Sequence, residues 1–152
     1  MELGDLVEET DRWVVPMTGL TVTQCRLDYA FTIIASDHKR GSFEVRLEQP
    51  FTLLTAGGVD ELVLDPEQDP LAMAPALCIL RATIEEVIAF KDGRLELSVE
   101  EGHVVRARAG EEYESWTITG PAGLMLVSLP SGGLAMWTPV NSEALLEEGQ
   151  VG

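Results

Sequence analysis

The only two tyrosines of the chain each stand beside a carboxylate, in Asp28-Tyr29 and Tyr113-Glu114. Each puts a phenol beside a carboxylate near a strand end, so both are candidate binding positions. Adjacent carboxylates occur at Glu85-Glu86 and Glu100-Glu101. Two carboxylates suffice for glycoside hydrolysis, but neighbours on a strand face opposite ways. Glu86 would share its face with Ile84, Ile88 and Phe90. A carboxylate there is either an acid of raised pKa or, as the simpler reading, the mark of a bulge or of an edge where the side chain escapes to water.

Other reactive patterns fail on spacing. No GxSxG string marks a nucleophile elbow, and Gly57, Gly58, Gly132 and Gly133 lack the lysine that follows a phosphate-binding loop. Asp65-Pro66-Glu67-Gln68-Asp69-Pro70 imitates the opening of a calcium loop. It places Pro70 where the sharp turn needs glycine, and Ala76 where the bidentate glutamate belongs. Cys25 and Cys78 are 53 positions apart with no CxxC or paired histidine, and read as small, mostly buried hydrophobes. His38 falls in the polar turn Ser36–Gly41 and His103 follows the turn Glu100-Glu101-Gly102. No catalytic residue, metal site or cofactor is expected.

The three tryptophans, Trp13, Trp116 and Trp137, could line an apolar pocket with the two phenols as polar handles, though filling a core uses them more economically.

The charge has a definite distribution. Twenty-six acidic side chains face ten basic ones, for a net charge of −16. Residues 1–11 and 60–75 each carry −5 with no base, and residues 100–114 carry −3, whereas residues 12–59 sum to +1. The excess belongs to ends and connectors rather than to strands. Such a surface repels nucleic acid and anionic membranes and suits a basic protein partner. No apolar run is long enough to span a bilayer, and the acidic N-terminus MELGDLVEETDRW does not read as a signal peptide, so a cytoplasmic protein is expected.

The elements that must hold these residues read as β. Leu20–Arg26 and Tyr29–Ala35 form strands, the second with Tyr29, Phe31 and Ile33 on one face. Phe43, Val45 and Leu47 alternate with Glu44, Arg46 and Glu48 until Pro50 stops the ladder. Asp60–Asp69 reads as a long acidic connector. Asp69-Pro70 looks like a cap and first turn for the one helix, Leu71–Leu80, with Met73, Leu77, Ile79 and Leu80 inward and Pro75 disturbing it. From Thr83 a meander runs on, with a hairpin signal at Lys91-Asp92-Gly93 and turns at Glu101-Gly102, Gly120–Gly123 and Pro130–Gly133. Arg106 and Arg108 share a face of one strand, and the apolar stretch Leu124–Val127 suits a central one.

The whole predicts an α+β, mainly antiparallel β domain, a meander sheet or sheets of about eight to nine strands with one short helix. It would span residues 13–139, after a loose acidic leader over 1–12 and before an acidic tail over 140–152. An edge strand such as Phe43–Glu48 could pair two copies into a homodimer.

Several of these pieces occur together as Trp13-x-x-Pro16-x-x-Gly19, Leu27-Asp28-Tyr29, Pro50-Phe51, Tyr113-Glu114-Ser115-Trp116, Gly120-Pro121-Ala122-Gly123 and the run Leu129–Trp137. In these the chain resembles a family of small uncharacterised actinobacterial proteins, a domain of unknown function. The resemblance implies a shared fold and brings no catalytic residue with it.

The leading functional expectation is a non-enzymatic interaction module, comparable to an immunity protein, that sets an acidic face on a basic protein. Its candidate contacts are Asp28, Tyr29, Asp65, Glu67, Asp69, Glu111, Glu112, Tyr113, Glu114 and Trp116. A small-ligand binder with an aromatic-lined pocket and a metal-free carboxylate enzyme are the alternatives.

Overall fold

The computed structural model describes residues 5–56 and 60–138. Its strands in chain order are β1 Val7–Glu8, β2 Arg12–Val15, β3 Thr21–Leu27, β4 Phe31–Asp37, β5 Gly41–Leu47, β6 Phe51–Leu54 and β7 Glu61–Leu64. They continue as β8 Ile84–Phe90, β9 Leu95–Val99, β10 Val104–Ala107, β11 Trp116–Thr119, β12 Met125–Ser128 and β13 Leu134–Trp137. All the strand pairs are antiparallel, in a seven-stranded sheet ordered β1-β2-β8-β9-β10-β6-β7 and a six-stranded sheet ordered β13-β12-β11-β5-β4-β3. The expected eight or nine strands are therefore thirteen among the described residues, divided between two sheets. The additional strands are short pieces, such as β1 and β7, that composition reads as leader or connector.

The two inner faces share one core. Val87, Ala89, Leu95, Leu97, Val105 and Leu53 of the first sheet join Ile33, Val45, Leu47, Trp116, Ile118 and Leu126 of the second. Phe31 stacks on Phe51 across the gap, with ring centroids 5.8 Å apart. The alternation in β5 is observed as read: Phe43, Val45 and Leu47 are buried, and the residues between them are more open. Pro50 ends that ladder, and the chain resumes as β6 in the other sheet. β5 itself lies between β4 and β11, so both its edges are already bonded and it cannot pair with a second copy.

Where the sequence reading departs from the structure, local geometry is the cause. Tyr29 does not share the face of Phe31 and Ile33, because β4 begins at Phe31 and Tyr29 stands in the preceding turn, 81% exposed. Within the acidic connector, Glu61–Leu64 pairs with β6, and only Leu64 of that strand is fully buried.

The helix is a ten-residue 3-10 segment, Pro70–Ile79, capped by Asp69 as anticipated, with its carboxylate accepting from Leu71 N at 2.9 Å. Pro75 has no N–H for an α-helical ladder, and three residues per turn keep Met73 and Ile79 inward as expected but bring Ala76 to the buried face in place of Leu77. Leu77 accordingly points outward, 52% exposed.

Of the bulge or edge expected at Glu86, the structure has the bulge: Ile84 pairs with Val99 and Glu86 with Ser98, and β8 is internal, between β2 and β9. Ile84 enters the core, while Glu85 and Glu86 remain exposed. β12 is internal as expected, between β11 and β13. The expected tail over 140–152 lies outside the described residues.

Candidate functional site: an acidic cleft at one end of the sandwich

Strand register decides which loops meet. Leu27, Phe31, Leu47 and Trp116 form one row across β3, β4, β5 and β11. The residues just beyond that row, Asp28–Ala30, Glu48–Gln49 and Glu114–Ser115, therefore emerge at the same end of the second sheet. Glu48 N donates to Ser115 O at 2.9 Å and ties two of these segments together. In the first sheet Phe51 is opposite Leu64, so the chain leaves β7 toward Glu67 at that same end.

There, Glu48, Gln49, Glu67, Glu112, Tyr113, Glu114 and Pro130 line an open cleft of about 570 Å3. Four carboxylates surround one phenol, and no lysine or arginine is among the lining residues. Glu48 faces Arg46 Nε at 3.5 Å, whereas Glu67, Glu112 and Glu114 have no ion-pair partner among the described residues. Tyr113 is 68% exposed. Its loop is held by Ser131, whose N–H donates to Gly110 O at 2.6 Å and whose hydroxyl donates to Glu111 O at 3.2 Å. A Cβ on Gly110 would collide with the Tyr113 carbonyl, so glycine is what permits the close fold-back.

Of the ten residues singled out by sequence, Glu67, Glu112, Tyr113 and Glu114 meet in the cleft. Asp28 and Tyr29 lie at the same end, linked through Arg46, which faces Asp28 at 3.5 Å and Glu48 at the same distance. Glu111 is on the cleft loop. Asp65 and Asp69 spend a carboxylate oxygen locally, Asp65 on Glu67 N at 3.0 Å and Asp69 on the helix cap.

Trp116 offers nothing to a partner, since it is wholly buried and its indole N–H donates to Gly93 O at 2.9 Å. The other two tryptophans do not join it in a pocket. Trp13 is on β2 of the first sheet, and Trp137 is 55% exposed on the edge strand β13. Glu48 was missed as a site residue; the signal was its place as the last charged residue before Pro50.

Among the described residues three carboxyls are displaced, all downward: Asp28 by the Ala30 N–H and then Arg46, Asp37 mainly by the Arg40 N–H, and Asp11 mainly by the Arg12 side chain. Among the described residues, no three His, Cys, Asp or Glu side chains converge as metal ligands. No helix among them is long and apolar enough to cross a membrane.

A family of unknown function, DUF6188, matches residues 13–138. The chain belongs to that family. Neither a curated protein nor a solved structure matches it significantly. The match begins at Trp13 on β2 and extends past Trp137 at the end of β13, so the family's extent takes in nearly all of both sheets and every residue lining the cleft.

Proposed function

We propose that this DUF6188 protein is a non-enzymatic interaction module whose acidic cleft receives a basic segment of a protein partner, as an immunity protein would. The observation that carries the reading is the convergence of Glu48, Glu67, Glu112 and Glu114 around exposed Tyr113 in one concavity without a lining cation. Holding these carboxylates together is unfavourable in the free protein, and a lysine or arginine side chain relieves the repulsion on arrival. The phenol ring adds a face on which a guanidinium can stack. The net charge of −16 would speed the approach of such a partner and keep nucleic acid away. Two unbridged thiols, Cys25 and Cys78, suit a reducing cytoplasm.

The test is a pull-down with the full chain at low and high salt, with mass spectrometry of the eluate, run beside a Glu67→Gln/Glu112→Gln/Glu114→Gln variant. A basic protein that salt releases and the variant fails to hold supports the reading. A partner retained equally by the variant contradicts it.

A further inference from the structure

The shared face of Arg106 and Arg108 has no part in the acidic cleft. In the structure these two meet Arg94 around a second concavity, of about 280 Å3, lined also by Thr52, Glu61, Phe90 and Glu96. Register places Arg106 between Glu96 on β9 and Thr52 on β6, on the outer face of the first sheet. Arg94 is fixed from two sides. Its Nε donates to Asp92 at 2.9 Å, and its guanidinium carbon lies 4.2 Å from the centre of the Phe90 ring. Arg106 donates through Nε to Glu96 at 3.0 Å, and Arg108 has no ion-pair partner among the described residues.

Each guanidinium carries five N–H donors. Arg94 and Arg106 use only the Nε edge on protein, and the terminal nitrogens of all three arginines are without a protein acceptor among the described residues. Three of the chain's ten basic side chains share this one hollow, and Arg94 and Arg106 keep terminal N–H donors free of the carboxylates that pair with Nε. Glu61, Glu96 and the adjacent Asp92 balance the three guanidinium charges, so what the hollow offers a ligand is the unused N–H donors, Arg108 having no ion pair among the described residues. The planar forks match the oxygens of a phosphate or a carboxylate, which they can bind in pairs. The Phe90 ring holds the Arg94 plane in place before a ligand arrives.

We propose that this concavity is a binding site for a small oxyanion, a phosphate or carboxylate group, held by the terminal nitrogens of Arg94, Arg106 and Arg108, with the Thr52 hydroxyl as a further donor. The site shares no lining residue with the acidic cleft and does not depend on the function proposed for it.

The test is a titration of the full chain with inorganic phosphate and, separately, with succinate, at constant ionic strength against a chloride control, following the arginine Nε–Hε resonances by NMR. Saturable shifts at Arg94, Arg106 and Arg108 are expected. Arg108→Gln, at an exposed position without an ion pair, should weaken the apparent Kd at least about tenfold and leave the backbone spectrum otherwise unchanged. Saturation by both anions assigns a general oxyanion site, and saturation by one alone narrows the class to that group. Saturation by neither, shifts matched by chloride, or an unaltered Kd in Arg108→Gln or Arg106→Gln would overturn the proposal.

Discussion

Trp116 and Gly93 belong to different sheets, and a hydrogen bond from the indole Nε1 to the glycine carbonyl, 2.9 Å long, fastens one sheet to the other. The Ser128 hydroxyl donates to the same carbonyl at 2.8 Å. The turn of the β8–β9 hairpin thus has its outward carbonyl satisfied by the facing sheet instead of by water. Gly93 is at φ +98°, and a Cβ there would come within 2.8 Å of the Ala109 Cβ.

Two substitutions at that junction should lower stability. Trp116→Phe removes one donor and part of a fully buried ring, and should cost on the order of 2 kcal/mol. Gly93→Ala meets both a left-handed backbone and a clash, and should cost at least as much. Urea unfolding midpoints measure both; a midpoint unchanged in either variant would show that the junction does not hold the sheets together.

The loop that presents Tyr113 depends on Gly110. Gly110→Ala should displace Tyr113 and weaken binding of a basic partner of the kind proposed, while leaving most of the core's hydrogen-exchange protection intact, since Gly110 lies outside the strands. Exchange mass spectrometry of the variant, read beside its binding, separates a local change from global unfolding.

Cys25 should be a sluggish thiol. Burial, with Cys78 nearby, raises its pKa from near 9 to about 11, so less of the reactive thiolate is present at neutral pH. Alkylation should be at least about tenfold slower in the native protein than in urea. The folded state favours the protonated thiol, so this contribution to stability is complete below about pH 9 and is lost as pH rises toward 11. Burial raises the Cys78 thiol as well. Native and denatured labelling rates across that range test the direction.

At the acid end the sign reverses. The Asp37 carboxylate accepts from Arg40 N at 2.6 Å and Lys39 N at 2.9 Å, and its pKa lies below the ordinary value of 3.8. Its contribution is present above that ordinary value and is lost as pH falls through the lower folded one. Asp37→Asn should flatten the fall of Tm between about pH 5 and pH 2. An identical slope in wild type and variant would remove Asp37 from the account.

The sequence was most legible where one residue settles the geometry. The alternation of Phe43 to Glu48, the stop at Pro50, the hairpin at Asp92-Gly93 and the cap at Asp69 all depend on neighbours in the chain, and all are found. The division into two sheets was not legible, because it rests on which strands pair at long range. β5 looked free to be an edge until β4 and β11 were seen on both its sides. A regular period puts Tyr29 on the face of Phe31 and Ile33, and Leu77 inward, but a turn and a 3-10 helix do not keep that period. The cleft was half legible. Glu67, Glu112, Tyr113 and Glu114 were recognisable as acidic loop positions, but only the row Leu27–Phe31–Leu47–Trp116 brings Glu48 to that end. Trp116 was misjudged as a contact because composition does not say which tryptophan fills the interior.

The most direct measurement of the central claim is the affinity of the purified basic partner for wild type and for Glu67→Gln/Glu112→Gln/Glu114→Gln, at about 50 and 500 mM salt. Wild-type binding should weaken steeply with salt. The variant should bind at least about tenfold less tightly at low salt and show a shallower salt dependence. Equal affinities and equal salt slopes in the two proteins would contradict the assignment of the cleft.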